Sequence, residues 1–209
     1  MRESQAAESR PYHHGDLRRA LIDAARRLLE SEGPSALSLR AVAREAGVSP
    51  AAPYYHFKDK GELLDAVAGE GWMMLDQAIV AAKASAPSIH AAMTEIGVAY
   101  VCFATNNPAL YRVMYDTARD KEAFPEKMQD GEDSAYCKVR DTLIEAGADP
   151  SAAVDIELAT IAAWCSAHGL AEMSGFKQFA HLKDELGGEI AFFRAVFNHM
   201  GLSPRHHES

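Results

Sequence analysis

The stretch SLRAVAREAGVSPAAPYYHF, residues 38–57, decides how the N-terminal part of this chain folds. Ser38 is a good N-cap for a short helix, and Gly47 supplies the backbone freedom that a tight turn after that helix requires. Ser49 can cap a second helix that begins at Pro50, a residue that is tolerated in the first turn of a helix. A short helix, a turn with glycine and a second helix with small leading residues together predict a helix-turn-helix motif.

The second helix of this motif carries hydrogen-bonding side chains behind a slim leading edge. Ala51 is small and precedes Tyr54, Tyr55 and His56, an arrangement that suits a helix entering the major groove of DNA. Pro53 has no N–H group and distorts a helix, so we expect an element of about one turn. The alternative is a helical hairpin that only packs a core, in which Tyr54 packs and His56 lies on the surface without a role.

Helical patterning extends over the rest of the chain. Leu17, Leu21 and Leu28 belong to one apolar stripe with helical spacing. No segment alternates like a β-strand, and Gly187-Gly188 interrupts or weakens the last helix. The predicted helices span about residues 16–31, 38–46, a short element from 50, 59–84, 88–105, 108–118, 131–146, 150–173 and 182–200. The prediction is an all-α fold of about nine helices, with a three-helix, homeodomain-like helix-turn-helix head and a C-terminal helical bundle.

The composition is typical of a globular protein that does not enter a membrane. Of the 209 residues, 48% are apolar and 24% are charged, and no uncharged apolar stretch is long enough for a membrane span. Three widely spaced cysteines and a polar N-terminus without a signal sequence favour the cytoplasm. The net charge is −9, but residues 1–68 hold ten basic and ten acidic side chains. This neutral part permits DNA binding, whereas the remainder is acidic.

The segments YHHGDLRRALIDAARRLLESEG, LSLRAVAREAGVS and PYYHFKDKGELLDAV, between Tyr12 and about Val67, resemble the tetracycline-repressor (TetR) family in residues, order and spacing. The resemblance implies a DNA-binding head, an all-α bundle that binds a small-molecule effector, and a homodimer formed through the last two helices. It divides the chain into residues 1–58, an N-terminal arm with the DNA-binding domain, and residues 59–209, the effector-binding and dimerisation domain.

The resemblance also implies roles for individual residues. Ser38 resembles a position that caps a helix and contacts phosphate, and Arg40 and Ser49 resemble further DNA-facing positions. Tyr54 resembles an aromatic residue that lies beside the sugar-phosphate backbone. Lys60 resembles a phosphate clamp, and a helix N-terminus next to an ammonium group independently favours an anion. The implied DNA-contacting set is Ser38, Arg40, Ser49, Pro50, Ala51, Tyr54, Tyr55, His56 and Lys60.

A second group of residues lies in the predicted bundle. Trp164 and His168 are four residues apart on one helical face, and Gly169 leaves room for another helix. With NPALYRVMY, residues 107–115, they resemble the Trp-His-Gly type of C-terminal domain of one TetR branch. Mixed aromatic and methionine walls suit an apolar ligand, and the alternative is an ordinary core with a hydrogen-bonded, buried histidine. The candidate pocket residues are Phe103, Tyr111, Met114, Tyr115, Trp164 and His168.

Signals for catalysis and for cofactors are weak. Cys165 and His168 are three residues apart, but no orienting carboxylate or oxyanion site lies nearby in the sequence. The glycines beside Glu70 do not follow a strand, as a dinucleotide site requires. The pairs His13-His14 and His206-His207 lack the spacing of metal ligands. We therefore expect a protein that is not an enzyme and has no catalytic residue, cofactor or metal.

The function that this resemblance implies is sequence-specific regulation of transcription. We expect a repressor that a small-molecule effector releases from a pseudo-palindromic operator in double-stranded DNA. A helical ligand-binding or interaction protein without DNA binding is the alternative, because Pro53 shortens the second helix of the motif and the C-terminal part is acidic. No residue decides between repression and activation.

Overall fold

The computed structural model describes residues 14–120 and 134–200, and every regular element in these two ranges is helical. Nine are α-helices and three are short 3-10 helices, which confirms the predicted all-α fold. The predicted N-terminal arm lies largely outside the described residues. The α-helices are α1 (His14–Glu32), α2 (Leu39–Glu45), α3 (Lys60–Ser85), α4 (Ile89–Asn106), α5 (Pro108–Asp120), α6 (Ala135–Glu145), α7 (Ala153–Met173), α8 (Ala180–Glu185) and α9 (Glu189–His199). The 3-10 helices are Pro34–Ala36, Ala52–Tyr55 and Lys177–Phe179.

The chain divides into two compact units, the N-terminal unit (residues 1–67) and the C-terminal unit (residues 68–209). Helix α3 belongs to both, because it runs without interruption from Lys60 to Ser85. The functional domains at residues 1–58 and 59–209 stay a prediction. None of the helices in the described ranges is long and apolar enough to cross a membrane.

The apolar stripe of α1 forms one wall of the core of the N-terminal unit. Leu21, Leu28 and Leu29 are at most 4% exposed, as their spacing predicts. Burying a leucine side chain contributes roughly 1.5–3 kcal/mol, so this stripe holds α1 against α2. Phe57 is equally buried, and the guanidinium group of Arg18 lies 5.4 Å from the centre of its ring.

Helix α4 is the central helix of the C-terminal unit, where it packs against α6, α7 and α9. Tyr100 and Val101 on α4 are buried, and Phe193 and Phe197 of α9 are fully buried beside it. Arg194 of α9 adds a bidentate pair with the Glu95 carboxylate of α4, at 2.7 and 2.9 Å. The unit is thus built around one apolar helix that its neighbours enclose.

Two helix boundaries differ from the prediction for local reasons. Helix α7 begins at Ala153 and not at Pro150. The Asp149 carboxylate accepts hydrogen bonds from the N–H and the hydroxyl group of Ser151, at 2.9 and 2.8 Å, and these bonds hold a turn before the helix. The last predicted helix consists of two helices, α8 and α9, which are separated at Gly187-Gly188 as the glycine pair indicated.

Candidate functional site

The first helix of the motif, α2, starts as its sequence predicts. Ser38 has an extended backbone (φ −148°, ψ 157°), and its Oγ accepts a hydrogen bond from the N–H of Ala41 at 3.1 Å. This confirms the predicted cap, which satisfies one of the free N–H groups at the helix start. Arg40 in the first turn is exposed, so its guanidinium group is accessible beside the cap.

The turn after α2 depends on Gly47, whose φ of +69° is a conformation that other residues rarely adopt. The N–H of Val48 donates to the carbonyl group of Ala43 at 2.9 Å, and the N–H of Gly47 donates to that of Arg44 at 3.2 Å. These two bonds form a Schellman motif, which ends the helix and redirects the chain. The predicted glycine turn is confirmed.

The second element of the motif is a single turn of 3-10 helix, Ala52–Tyr55. The N–H of Tyr54 donates to the carbonyl group of Ala51 at 3.2 Å, and the N–H of His56 donates to that of Pro53 at 3.0 Å. Bonds between residues three apart define a 3-10 helix, which is rarely longer than a few residues. Pro53 is buried and has no N–H group to donate, so the element is as short as its sequence led us to expect.

This turn and the three residues before it display five of the nine predicted DNA-contacting residues at the surface. Tyr54 is 54% exposed and Tyr55 is 84% exposed, so packing into a core is not the role of either ring. His56 differs, because it is half-buried and its Nε2 is buried without a hydrogen-bond partner among the described residues. Its ring therefore offers less to a groove than the sequence implied. The exposed residues that precede this turn are Ser49, Pro50 and Ala51.

Lys60 is the first residue of α3, and its surroundings differ from the expected anion site. The Asp59 carboxylate accepts a hydrogen bond from the N–H of Glu62 at 3.0 Å, and the Glu62 carboxylate accepts one from the N–H of Lys58 at 2.6 Å. Two carboxylates of the chain thus occupy the helix start. The Lys60 ammonium group donates to the carbonyl group of Pro34 at 3.0 Å and stays exposed. Its role as a phosphate clamp stays a prediction.

A hydrogen-bonded cluster of aromatic side chains occupies the second predicted site, in the C-terminal unit. The hydroxyl group of Tyr100 lies 3.0 Å from that of Tyr111 and also contacts that of Tyr115. The Tyr111 hydroxyl contacts Nδ1 of His168 at 2.5 Å. The indole N–H of Trp164 donates to the Tyr115 hydroxyl at 3.1 Å. Because an indole N–H can only donate, a consistent order of donors runs from Trp164 through the three hydroxyl groups to an accepting Nδ1.

Burial extends the pH range in which the three phenols of this cluster stay neutral. Desolvation raises the pKa of Tyr115 to about 12, although its hydrogen bonds to Tyr100 and Trp164 oppose the rise. Desolvation also raises the pKa of Tyr100 and that of Tyr111, and the neighbouring Tyr115 adds to both shifts. The phenols therefore offer hydrogen-bonding groups rather than negative charge at neutral pH.

A cavity of about 920 Å³ borders this cluster. Its size falls within the range of about 300–1,000 Å³ that is typical of small-molecule sites. Tyr111, Tyr115 and His168 line it, as predicted for pocket residues. The expectation of apolar walls is wrong, because many of the remaining lining side chains are ionised. The charged lining residues are Arg112, Asp116, Glu172, Lys177, Lys183 and Glu189.

The other three candidate pocket residues do not line this cavity. Met114 is fully buried against α3, where a Cβ built on Gly71 would lie 2.5 Å from its sulfur atom. Trp164 is held in the aromatic cluster by its bond to Tyr115 and lines only a void of about 20 Å³. Phe103 on α4 is also buried. Helical spacing identifies such residues as buried but does not separate a core position from a cavity wall.

The charged walls of the cavity were missed because their sequence signal is ambiguous. Arg112 and Asp116 each follow a buried tyrosine by one residue on α5. That position borders the apolar stripe of an amphipathic helix, and charges there usually face solvent. Lys177 lies in a 3-10 helix of three residues, which is too short to show a periodic pattern. Only the fold brings these side chains to one cavity.

Gly169 does not bring another helix of this chain close. A Cβ built at this position meets no atom within 4 Å among the described residues, so the expected close helix packing is wrong within one copy of the chain. The neighbouring residue, His168, forms a hydrogen bond to Tyr111, which agrees with the alternative of a hydrogen-bonded histidine. His168 also lines the cavity.

Comparison with family models identifies the family of this chain. The model of a family described as bacterial regulatory proteins, tetR family, matches residues 21–67. A second model, described as tetracyclin repressor-like, C-terminal domain, matches residues 93–199, about half of the chain. This chain belongs to the TetR family. Because the TetR family consists of regulatory proteins, the chain is a regulator and not an enzyme, while its place in the Trp-His-Gly branch stays a prediction.

Individual relatives agree with the TetR assignment. An uncharacterized HTH-type transcriptional regulator from Haemophilus influenzae is 40% identical over 101 residues, which are 46% of this chain and 48% of that protein. The match thus spans about half the length of this curated relative.

Solved structures show the same fold over most of the chain. A protein of unknown function from Rhodococcus sp. RHA1 has a TM-score of 0.67 and 30% identity, covering 93% of this chain and all of that one. A TetR-family transcriptional regulator from Thermus thermophilus has a TM-score of 0.59 and 18% identity, and the match covers 90% of this chain and 99% of the Thermus chain. At that identity the second likeness shows the fold alone.

Proposed function

We propose that this TetR-family chain is a dimeric transcription repressor that binds a pseudo-palindromic operator and leaves it when a small-molecule effector binds the C-terminal unit. The observation that carries the proposal is the exposed edge of the helix-turn-helix, where Tyr55 projects from a turn that begins with small residues. In a dimer, two such edges reach successive major grooves about 34–36 Å apart.

The charges around the motif support contact with the DNA backbone. Arg40 and Arg44 lie four residues apart on α2, so they share one helical face. Both are exposed and form no ion pair with any residue that the structure describes. Free guanidinium groups on the first helix of the motif suit phosphate oxygens, which set the register of the protein on the duplex. Base reading then falls to Tyr55 and the small residues before it.

An apolar stripe on α7 supports dimerisation. Val154, Leu158 and Ile161 are 73%, 60% and 44% exposed, and Cys165 continues the stripe with the same spacing of three or four. A repeat of this kind forms a seam that a partner helix covers. The predicted interface through the last two helices corresponds to α7 and the α8–α9 segment, to which the exposed Ile190 of α9 also belongs.

Helix α5 provides a physical route from effector to DNA. Tyr111 and Tyr115 on α5 line the cavity, and Met114 on the same helix packs closely on α3 at Gly71. Trp72 of α3 also packs edge-on against Tyr115, with ring centres 5.4 Å apart. Since α3 continues into the N-terminal unit, a ligand that shifts α5 moves α3. The ligand releases DNA only if it prefers the non-binding geometry.

The decisive experiment is a gel shift of the full chain with the DNA upstream of its own gene. We expect a specific shifted band that competitor DNA of unrelated sequence does not remove. A chain that shifts no specific fragment would favour the alternative, a helical ligand-binding or interaction protein. We place the protein in the cytoplasm, where its operator would be.

Light scattering tests the dimer. We expect a mass near twice 22.7 kDa, and a monomer for the double variant Leu158→Asp/Ile161→Asp, because two carboxylates cannot be buried in an apolar seam. Val80→Asp is the matched control, since Val80 is an exposed apolar residue on α3. A monomeric unchanged chain at micromolar concentration would contradict the dimer.

A further inference from the structure

The charged side chains of the cavity are not all neutralised within the chain. Lys183 pairs with Glu189 and also donates to the carbonyl group of Ser174 at 2.8 Å, so these groups satisfy one another. Asp116 also has an interaction partner. Some of the charged side chains that line the cavity therefore already interact within the chain.

The remaining charged residues of the cavity are Arg112, Lys177 and Glu172. None of them forms a hydrogen bond or ion pair with a residue in the described ranges, and all three are exposed. The charged residues that line the cavity are three cations and three anions, so their charges balance. The guanidinium group of Arg112 and the ammonium group of Lys177 nevertheless have no partner among the described residues, and such groups attract a negatively charged group of a ligand.

The phenols of the inner wall carry no negative charge, and an anionic group beside them is the carboxylate of Glu172, which contributes to the raised pKa of Tyr111. Tyr111 and Tyr115 are neutral phenols at neutral pH, and burial raises the pKa of each further. Hydroxyl groups and the His168 ring form hydrogen bonds with the polar parts of a ligand. The charged group of a ligand is therefore recognised by the exposed guanidinium group of Arg112 and ammonium group of Lys177. The phenols contact the uncharged part of the ligand.

We infer that the effector of this chain is a small carboxylic acid whose carboxylate binds Arg112 and Lys177. A guanidinium group matches a carboxylate with two parallel hydrogen bonds, which makes Arg112 the stronger of the two contacts. The cavity of about 920 Å³ has room for the rest of a drug-sized molecule. This inference rests on the proposed effector site and adds the chemical class of its ligand.

A panel of matched ligands tests the class. Each skeleton, aliphatic or aromatic, is supplied as a carboxylate, a primary amide and a primary amine, and binding to the full chain is followed by tryptophan fluorescence. The readout is local, because the chain has only two tryptophans and both, Trp72 and Trp164, pack against Tyr115 or bond to it. We expect the best carboxylate to bind at least about tenfold more tightly than its amide or amine.

Three variants test the assigned residues. Arg112→Gln should weaken the best carboxylate about tenfold, and Lys177→Gln should weaken it less. Glu172→Gln should tighten it, because the change removes the competing negative charge. Arg140→Gln is the control, since Arg140 on α6 pairs with Asp141 and does not line the cavity. All three exposed substitutions leave the fold intact, which circular dichroism checks.

The outcomes separate this inference from the proposed function. Equal binding of amides or amines, no carboxylate binding, or an unchanged preference in Arg112→Gln would each overturn the inference, even if some other compound releases operator DNA. If carboxylates bind with the expected preference but the gel shift persists at saturation, the ligand class stands and release by effector falls.

Discussion

Tyr54 and Tyr55 of the N-terminal unit project into solvent, whereas Tyr100, Tyr111 and Tyr115 of the C-terminal unit are at most 6% exposed. The exposed pair presents its rings and hydroxyl groups to solvent, and its contact with DNA is our proposal. The buried hydroxyl groups bond to one another and to Trp164 or His168, so they stabilise the unit and shape the cavity wall. Where a tyrosine lies thus decides whether its loss affects binding or stability.

The largest expected effect is the loss of stability of the C-terminal unit at high pH. The pKa of Tyr115 rises from 10.0 to about 12 on folding. Its protonated form is therefore favoured by the fold, and this stability is complete below pH 10 and is lost as the pH rises through about 12. A shift of this size corresponds to about 3 kcal/mol.

Urea unfolding of the full chain at stepped pH between neutrality and strong alkali measures this loss. The free energy of unfolding should fall steeply above pH 10, and Tyr115→Phe should flatten that fall. If the free energy of unfolding depended on pH in the same way in Tyr115→Phe and in the unchanged chain, the phenol of Tyr115 would not be buried as the structure describes. The contrast between buried and exposed tyrosines would then lose its main support.

The next effect is the removal of one hydroxyl group from the cluster at neutral pH. Tyr100→Phe keeps the ring, but the O–H of Tyr115 then has no acceptor, whereas Tyr111 keeps its bond to His168. A buried donor without an acceptor costs about 1–3 kcal/mol, so the midpoint of urea unfolding should fall accordingly. Tyr54→Phe is the matched control and should change the free energy by less than about 0.5 kcal/mol. Equal losses in the two variants would contradict the contrast.

The same contrast predicts the opposite result for operator binding. Tyr55→Ala should lower the affinity for operator DNA about tenfold, which is about 1.4 kcal/mol, without a change in the melting temperature. Met73→Ala removes an exposed side chain from the C-terminal unit and should leave the affinity unchanged. Fluorescence anisotropy of labelled operator DNA measures both. An unaffected affinity in Tyr55→Ala would remove this residue from the contact surface.

The N-terminal unit follows from its sequence because its structure depends on local rules. The Ser38 cap, the Gly47 turn and the short element around Pro53 each result from backbone chemistry within a few residues. The helix start at Lys60 is capped by the carboxylates of Asp59 and Glu62. Their three-residue spacing is that of a capping box, so this feature was also readable from local sequence, although the expected anion site did not take it into account.

The cavity could not be predicted in the same way. Met114 and Tyr115 are adjacent on one apolar face, yet one packs against α3 and the other lines a polar cavity. The difference depends on which helix covers each residue, and that is decided by contacts between distant segments. Periodicity therefore gives the buried face of α5, and tertiary packing decides which part of that face a ligand can reach.

The smallest effect tests whether Lys60 acts on DNA or only on the fold. Its ammonium group donates to the carbonyl group of Pro34 at the surface, and losing an exposed bond of this kind changes stability by less than about 0.5 kcal/mol. If Lys60 also binds a phosphate, Lys60→Ala should weaken binding to all DNA sequences about threefold and make the salt dependence shallower by about one unit. Lys83→Ala is the matched control, because Lys83 pairs with Glu145 in the C-terminal unit. Anisotropy titrations at several salt concentrations measure both slopes. An unchanged slope in Lys60→Ala would confine this residue to the surface of the fold, and the cations of α2 would then carry the phosphate contacts.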